Sequence, residues 1–195
     1  MRTTILVLIF VTAAVSLFVI SCDNGKTASA ATAETMSNDV LIKRGDYLVN
    51  SIGCDDCHSP KKMGAHGPEI IPELRFSGYP ADRPVGKVDT NSIKNGWSMF
   101  GPDFTNTAGM WGMSFAGNIS SDETGIGNWT EEQFMTALRK GKYKGLEGSR
   151  DLLPPMPWIV YKNMSDDDIR SIFAYLKTTK PVRNIVPAPK LLSEL

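Results

Sequence analysis

Two thiols and an imidazole stand within five positions at Cys54-Asp55-Asp56-Cys57-His58. This CxxCH spacing is the attachment pattern of a c-type haem. Each thiol can form a thioether with one vinyl group, and the imidazole then sits under the iron as proximal ligand. A zinc site would need a second Cys/His pair downstream, and the sequence has none. A redox CxxC opens a helix inside a βαβ pattern, which is also missing. The motif therefore implies one covalent haem c with its iron, held by Cys54, Cys57 and His58.

A haem so anchored has a second face to fill. His66 is the only other histidine, and too little chain separates it from His58 to cross to that face. It is expected to be an ordinary loop residue. Of nine methionines, Met1 lies in an apolar leader and Met36 in a polar tether. Met63 follows His58 too closely, Met135 falls in a helical pattern, and Met164 precedes a helix cap. Met99, Met110, Met113 and Met156 remain. Met156 is preferred because Pro154, Pro155 and Pro157 surround it. Those rings fix φ and remove amide donors, giving a stiff irregular segment suited to holding a thioether near iron. The alternative is that Met156 only fills a core gap.

The elements that must position these residues read as helices. Leu41, Gly45, Leu48 and Ile52 recur at helical spacing from Asp39, with Asn38 or Asp39 as cap. Gly45 costs about 1 kcal/mol relative to Ala inside a helix, so another element is expected to approach it closely. A second helix begins at Thr130, where Thr130 and Gln133 suit a capping box and Trp129 and Phe134 a hydrophobic staple. Phe134, Ala137 and Leu138 line its face and Gly141 stops it. A last helix starts at Ser165, with Asp166, Asp167 and Asp168 in its first turn and a stripe of Ile169, Ile172, Phe173 and Leu176. Its end is set by Pro181, and the tail is expected to run extended over the surface. Residues 69–128 show no sustained period and are rich in Gly and Pro, so they read as loops with a short hairpin. Their aromatics, Trp97, Phe100, Phe104, Trp111 and Phe115, either pack over a haem face or form a docking surface.

The chain of 195 residues carries 21 basic and 21 acidic side chains and no basic run, which argues against a nucleic-acid partner. After Arg2, the apolar run from Ile5 to Ile20 falls short of the ~20 residues that span a bilayer, so a signal peptide over residues 1–21 is expected. Val19-Ile20-Ser21-Cys22 resembles the lipobox of bacterial lipoproteins, which implies lipid attachment at Cys22. Residues 22–38 read as a flexible tether and 39–195 as the folded domain.

Arg44-Gly45-Asp46-Tyr47-Leu48-Val49, Gly53 to His58, and Leu153-Pro154-Pro155-Met156-Pro157-Trp158 together resemble the class I cytochrome c family over about residues 39–189. The similarity is to its bacterial branch, including cytochrome subunits and partners of periplasmic dehydrogenases. That resemblance implies an all-α fold whose terminal helices cross near the haem, with Gly45 at the crossing and Met156 as sixth ligand. It also implies a proline segment whose carbonyl accepts a hydrogen bond from the proximal histidine, for which Gly67-Pro68 is preferred over Pro60. Filling both axial positions leaves no site for substrate, so the expected function is one-electron transfer rather than catalysis. The protein would sit in the cell envelope, anchored by lipid and facing the periplasm, with a dehydrogenase or oxidase as redox partner. The alternatives are a haem subunit within a membrane-associated dehydrogenase complex, and a haem enzyme or gas-binding module with a displaceable sixth ligand.

Overall fold

The computed structural model describes residues 36–195. The expected signal peptide 1–21, the lipid-bearing Cys22 and nearly all of the tether lie outside these residues.

The helical part follows its sequence pattern closely. Helix α1 (Asn38–Ser51) buries Gly45, Leu48 and Val49. Its N-cap is Ser37 rather than Asn38 or Asp39, and no side chain closes it. Helix α4 (Glu131–Lys140) carries the Thr130–Gln133 capping box in both directions and buries Phe134, Ala137 and Leu138. Gly141 ends it at φ 64°, a left-handed cap that glycine adopts without strain. Helix α6 (Asp166–Leu176) is capped by Ser165, whose hydroxyl accepts from the Asp168 amide. It stops at Leu176, well before Pro181, through turns at Lys177, Thr178 and Thr179.

These helices share one core of Leu48, Val49, Phe76, Ile126, Phe134, Leu138, Ile169, Ile172 and Leu176. The Phe134 and Phe173 rings pack 5.1 Å apart between α4 and α6. Helix α1 crosses α6 at Gly45, where an added Cβ would lie 1.9 Å from the Ser171 carbonyl oxygen. The glycine is therefore required by proximity, as expected from its cost in a helix.

The expected all-α fold is overturned in the intervening stretch, which contains two antiparallel sheets. Strands β1 (Lys61–Gly64) and β2 (Gly67–Ile70) form one hairpin. Strands β3 (Met99–Phe100), β4 (Asn106–Gly109) and β5 (Gly112–Phe115) form a three-stranded sheet in sequence order. Short helices α2 (Cys54–His58), α3 (Thr90–Lys94) and α5 (Trp158–Tyr161) complete the elements used below. Strands of two to four residues give an alternating pattern too few repeats to stand out, which is why the region reads as loop. Their pairing is decided by closure onto a second core of Ile93, Ala108 and Met113, flanked by Val85, Val88, Met99 and Phe115.

The tail takes part in that core. Met113 exchanges backbone hydrogen bonds with Lys190 at 2.8 and 3.0 Å, and Leu192 and Leu195 pack on the cluster. The extended surface course expected for the tail is thus corrected: its end is paired to β5. Asn184 adds a tie by donating to the carbonyls of Ser77 and Tyr79. Among the described residues no helix is long and apolar enough to cross a membrane.

Candidate functional site

Helix α1 ends at Ser51, and Gly53 at φ 78° turns the chain into α2. The five residues of α2 are Cys54 to His58, so the whole CxxCH string forms one helical turn. Cys54 packs against the helical core, and both Cys54 and Cys57 are unpaired thiols. Burial, reinforced by the Asp55 charge, pushes the Cys54 thiol up to about 12. Burial and Asp56 raise Cys57 as well. Protonated thiols of this kind are poor thiolate nucleophiles. Among the described residues no three His, Cys, Asp or Glu groups converge on a metal-sized point.

His58 closes α2, and its Nδ1 lies 2.7 Å from the Gly117 carbonyl oxygen. Only a protonated Nδ1 can donate there, which leaves Nε2 with a free lone pair for a metal. Desolvation pushes the imidazole below its ordinary value, outweighing the opposite pull of the Gly117 carbonyl, so the neutral ligand form is favoured. The acceptor is not the expected Gly67-Pro68 segment, which forms β2, nor Pro60. Gly117 follows β5 and is brought to α2 by the segment 76–79. Gly78 donates to the His58 carbonyl at 2.8 Å, and Tyr79 donates to Ala116 at 3.0 Å. Gly78 runs so close to Ala116 and Gly117 that a Cβ would lie 2.3 Å from the Ala116 oxygen.

Two cations with no motif to announce them, Arg75 and Lys61, hold α2 in place. The Arg75 guanidinium donates to both Asp55 oxygens, the closest contact being 2.6 Å, and also to Asn50 of α1 at 2.7 Å. Ser59 donates to Asp55 at 2.5 Å and accepts from the Phe76 amide at 2.9 Å. Lys61 Nζ donates to the carbonyls of Asp55, Asp56 and Ser59 at 2.8 to 3.0 Å, and to Asp103 at 3.2 Å. A cation on the last carbonyls of a helix satisfies groups that have no internal partner. Tyr161, from α5, donates to the Ile52 carbonyl at 3.2 Å, and burial beside Cys54 and Cys57 pushes its phenol up to about 12.

The methionine candidates separate. Met113 is buried in the second core and Met99 packs against it, while Met110 is exposed at the β4–β5 turn. Met156 is half-buried and packs against the helical core, as do Cys54, Ile52, Trp129 and Tyr161, and also Met135 and Met164. His66 occupies the exposed two-residue turn between β1 and β2. Trp97, Phe100 and Phe104 are exposed, with the two Phe rings 5.6 Å apart edge to face. Phe115 instead stacks against Tyr79 at 4.7 Å.

The residues present fit a haem. Two unpaired thiols flank one helical turn, an imidazole is fixed through Nδ1 with Nε2 left over, and an apolar surround contains a thioether.

No family model matches the chain. It is 29% identical over 151 residues to the gluconate 2-dehydrogenase cytochrome c subunit of Pantoea cypripedii, covering 77% of this chain and 26% of that protein. It is 30% identical over 151 residues to the fructose dehydrogenase cytochrome subunit of Gluconobacter japonicus, covering 76% and 23%. It is also 30% identical over 157 residues to the cytochrome c subunit of the quinone alcohol dehydrogenase of Gluconobacter oxydans, covering 80% and 25%. The chain spans about a quarter of the length of these relatives. Across most of its described part the chain is thus similar to cytochrome c subunits of dehydrogenases, in agreement with the electron-carrying role expected from its CxxCH turn.

Proposed function

We propose that the protein is a monohaem c-type cytochrome that passes single electrons from a dehydrogenase, as a carrier at the membrane face or a subunit of the complex. The observation that carries this reading is the His58–Gly117 hydrogen bond at 2.7 Å on a CxxCH turn, which prepares one imidazole nitrogen for iron. Cys54 and Cys57 would hold the haem through thioethers, and His58 and Met156 would ligate its iron. The bound haem would supply the redox couple, and a thioether ligand would raise its potential.

The protein's part is positional. Asp55, Arg75, Ser59 and Lys61 keep α2 rigid, so the imidazole need not reorganise between oxidation states. Partnership with a dehydrogenase is supported by the names of the relatives. Lipidation at Cys22 is supported by the lipobox, and a periplasmic position by the lipobox together with the apolar run before it.

The test is optical. The purified protein should keep its colour through acidic organic extraction and, when reduced, bind carbon monoxide poorly. Met156→Ala should abolish the weak sulfur-to-iron charge-transfer band and open the iron to carbon monoxide. Loss of all colour on extraction overturns the covalent haem. Ready carbon monoxide binding by the unaltered protein overturns the carrier reading in favour of a gas-binding module.

A further inference from the structure

The loop 153–157 is anchored at its far end, where the Pro157 carbonyl accepts from the Val160 and Tyr161 amides at 2.9 and 3.2 Å, and is held more sparsely before Met156. Pro154, Pro155 and Pro157 have no amide donor, and the one backbone bond inside the loop runs from Met156 N to the Leu153 carbonyl at 3.2 Å. Among the described residues, a single side chain donates to it. Ser114 Oγ, on β5, lies 2.5 Å from the Pro154 carbonyl oxygen, two residues before Met156.

That hydroxyl is well determined. Ser114 is 8% exposed, and its Oγ accepts from Trp111 Nε1 at 3.3 Å. Its own proton has two possible carbonyls, Pro154 at 2.5 Å and Thr107 at 3.3 Å, and the shorter contact takes it. The strand behind it is braced in turn, because the neighbouring Met113 is paired to Lys190 and buried in the second core. A mechanical connection therefore runs from the tail through β5 to the methionine loop.

We propose that Ser114 is a positioning residue for Met156, and that the insert between the helices serves to hold the sixth ligand on the iron. The inference rests on the reading of Met156 as that ligand. A hydroxyl–carbonyl bond of this kind changes an equilibrium by about fivefold. The loss of Ser114 should therefore raise the fraction of molecules with Met156 released by that factor. The global fold should change less, since Ser114 lies on β5, outside the helices that form the main core.

The experiment compares Ser114→Ala, Ser114→Thr and Met156→Ala in the full-length haem-loaded protein. Carbon monoxide titration of the reduced form reads the sixth position, the charge-transfer band reads the oxidised form, and far-UV circular dichroism in denaturant reads global stability. Ser114→Ala should bind carbon monoxide about fivefold more tightly than wild type. Ser114→Thr, which keeps the hydroxyl, should return to within twofold. If Met156→Ala removes the band while Ser114→Ala binds carbon monoxide as wild type does, this inference is overturned and the ligand reading survives. If Met156→Ala leaves the band intact, the ligand reading itself fails and takes the inference with it. A gain in carbon monoxide affinity that merely tracks lost global stability, and that Thr does not reverse, also overturns it as an ordinary packing effect. Should Ser114→Ala fail to accumulate with haem, Trp111→Phe removes the inbound donor while keeping an aromatic ring beside Gly109. It must then shift carbon monoxide binding in the same direction by a smaller factor, and no shift counts against the proposal.

Discussion

The helical part around Ile169 and the insert around Met113 are built by different means. In the helical part each element carries its own instructions: caps at Thr130 and Ser165, an apolar face at 3.6 spacing, and a glycine where two helices touch. In the insert no strand exceeds four residues, and none has a face that could be stable alone. Its order comes from closure at a distance, with residue 190 paired to residue 113 and Asn184 tied to Ser77 and Tyr79. The difference teaches that the CxxCH turn belongs to both parts. Its thiol Cys54 sits on the helical core, while its imidazole is held by a carbonyl from the insert.

Three substitutions or conditions test how separate the two parts are. The largest effect is expected at the helix crossing. Gly45→Ala places a methyl 1.9 Å from the Ser171 oxygen, so α1 and α6 must part. The loss should be about 3 kcal/mol in denaturant unfolding, with helical signal and haem environment lost together. Next is Met113→Ala, which empties a fully buried site in the second core at a cost of about 2 kcal/mol. Hydrogen exchange should quicken at the Met113 and Lys190 amides and stay slow in α6. Equal quickening in α6 would mean that one cooperative unit spans the protein, and the comparison would break.

The smallest effect concerns pH. Asp103 is 5% exposed and paired to Arg83 at 2.6 Å. Burial pushes its carboxyl up, but hydrogen bonds from Thr105 and Arg83 outweigh that and hold it below the ordinary 3.8. A carboxyl depressed on folding stabilises the fold above its unfolded value, and that contribution is lost as pH falls through the lowered folded value. Acidification below about pH 4 should therefore loosen the insert, as read by exchange at Thr105 and Lys61, before the helices melt. Arg83→Ala should move that loosening to higher pH; an unchanged acid midpoint would remove Asp103 from the account.

Both hairpins left a mark in the sequence that helical periodicity does not register. Gly64-Ala65-His66-Gly67 and Gly109-Met110-Trp111-Gly112 repeat one pattern, and in each the two glycines pair across the turn. The second glycine has φ 128° in one and 94° in the other, values that residues with a Cβ rarely adopt. Two turns of this form signal hairpins, although the strands they join are too short to do so. The partner of His58 left no mark at all. Gly117 lies 59 positions away, and nothing about a glycine in an irregular stretch says that its carbonyl meets an imidazole. Arg75 and Lys61 are equally silent, since a cation on a surface loop is ordinary until the acceptors around it are known.

Local chemistry alone determined the CxxCH turn, the three main helices and the caps at Thr130 and Ser165, because each depends on residues within a few positions of one another. Tertiary structure decided the path of the tail, the carbonyl that orients His58, and the serine that reaches Pro154. Those contacts join residues tens of positions apart, and their free energy exists only once the chain has closed on itself.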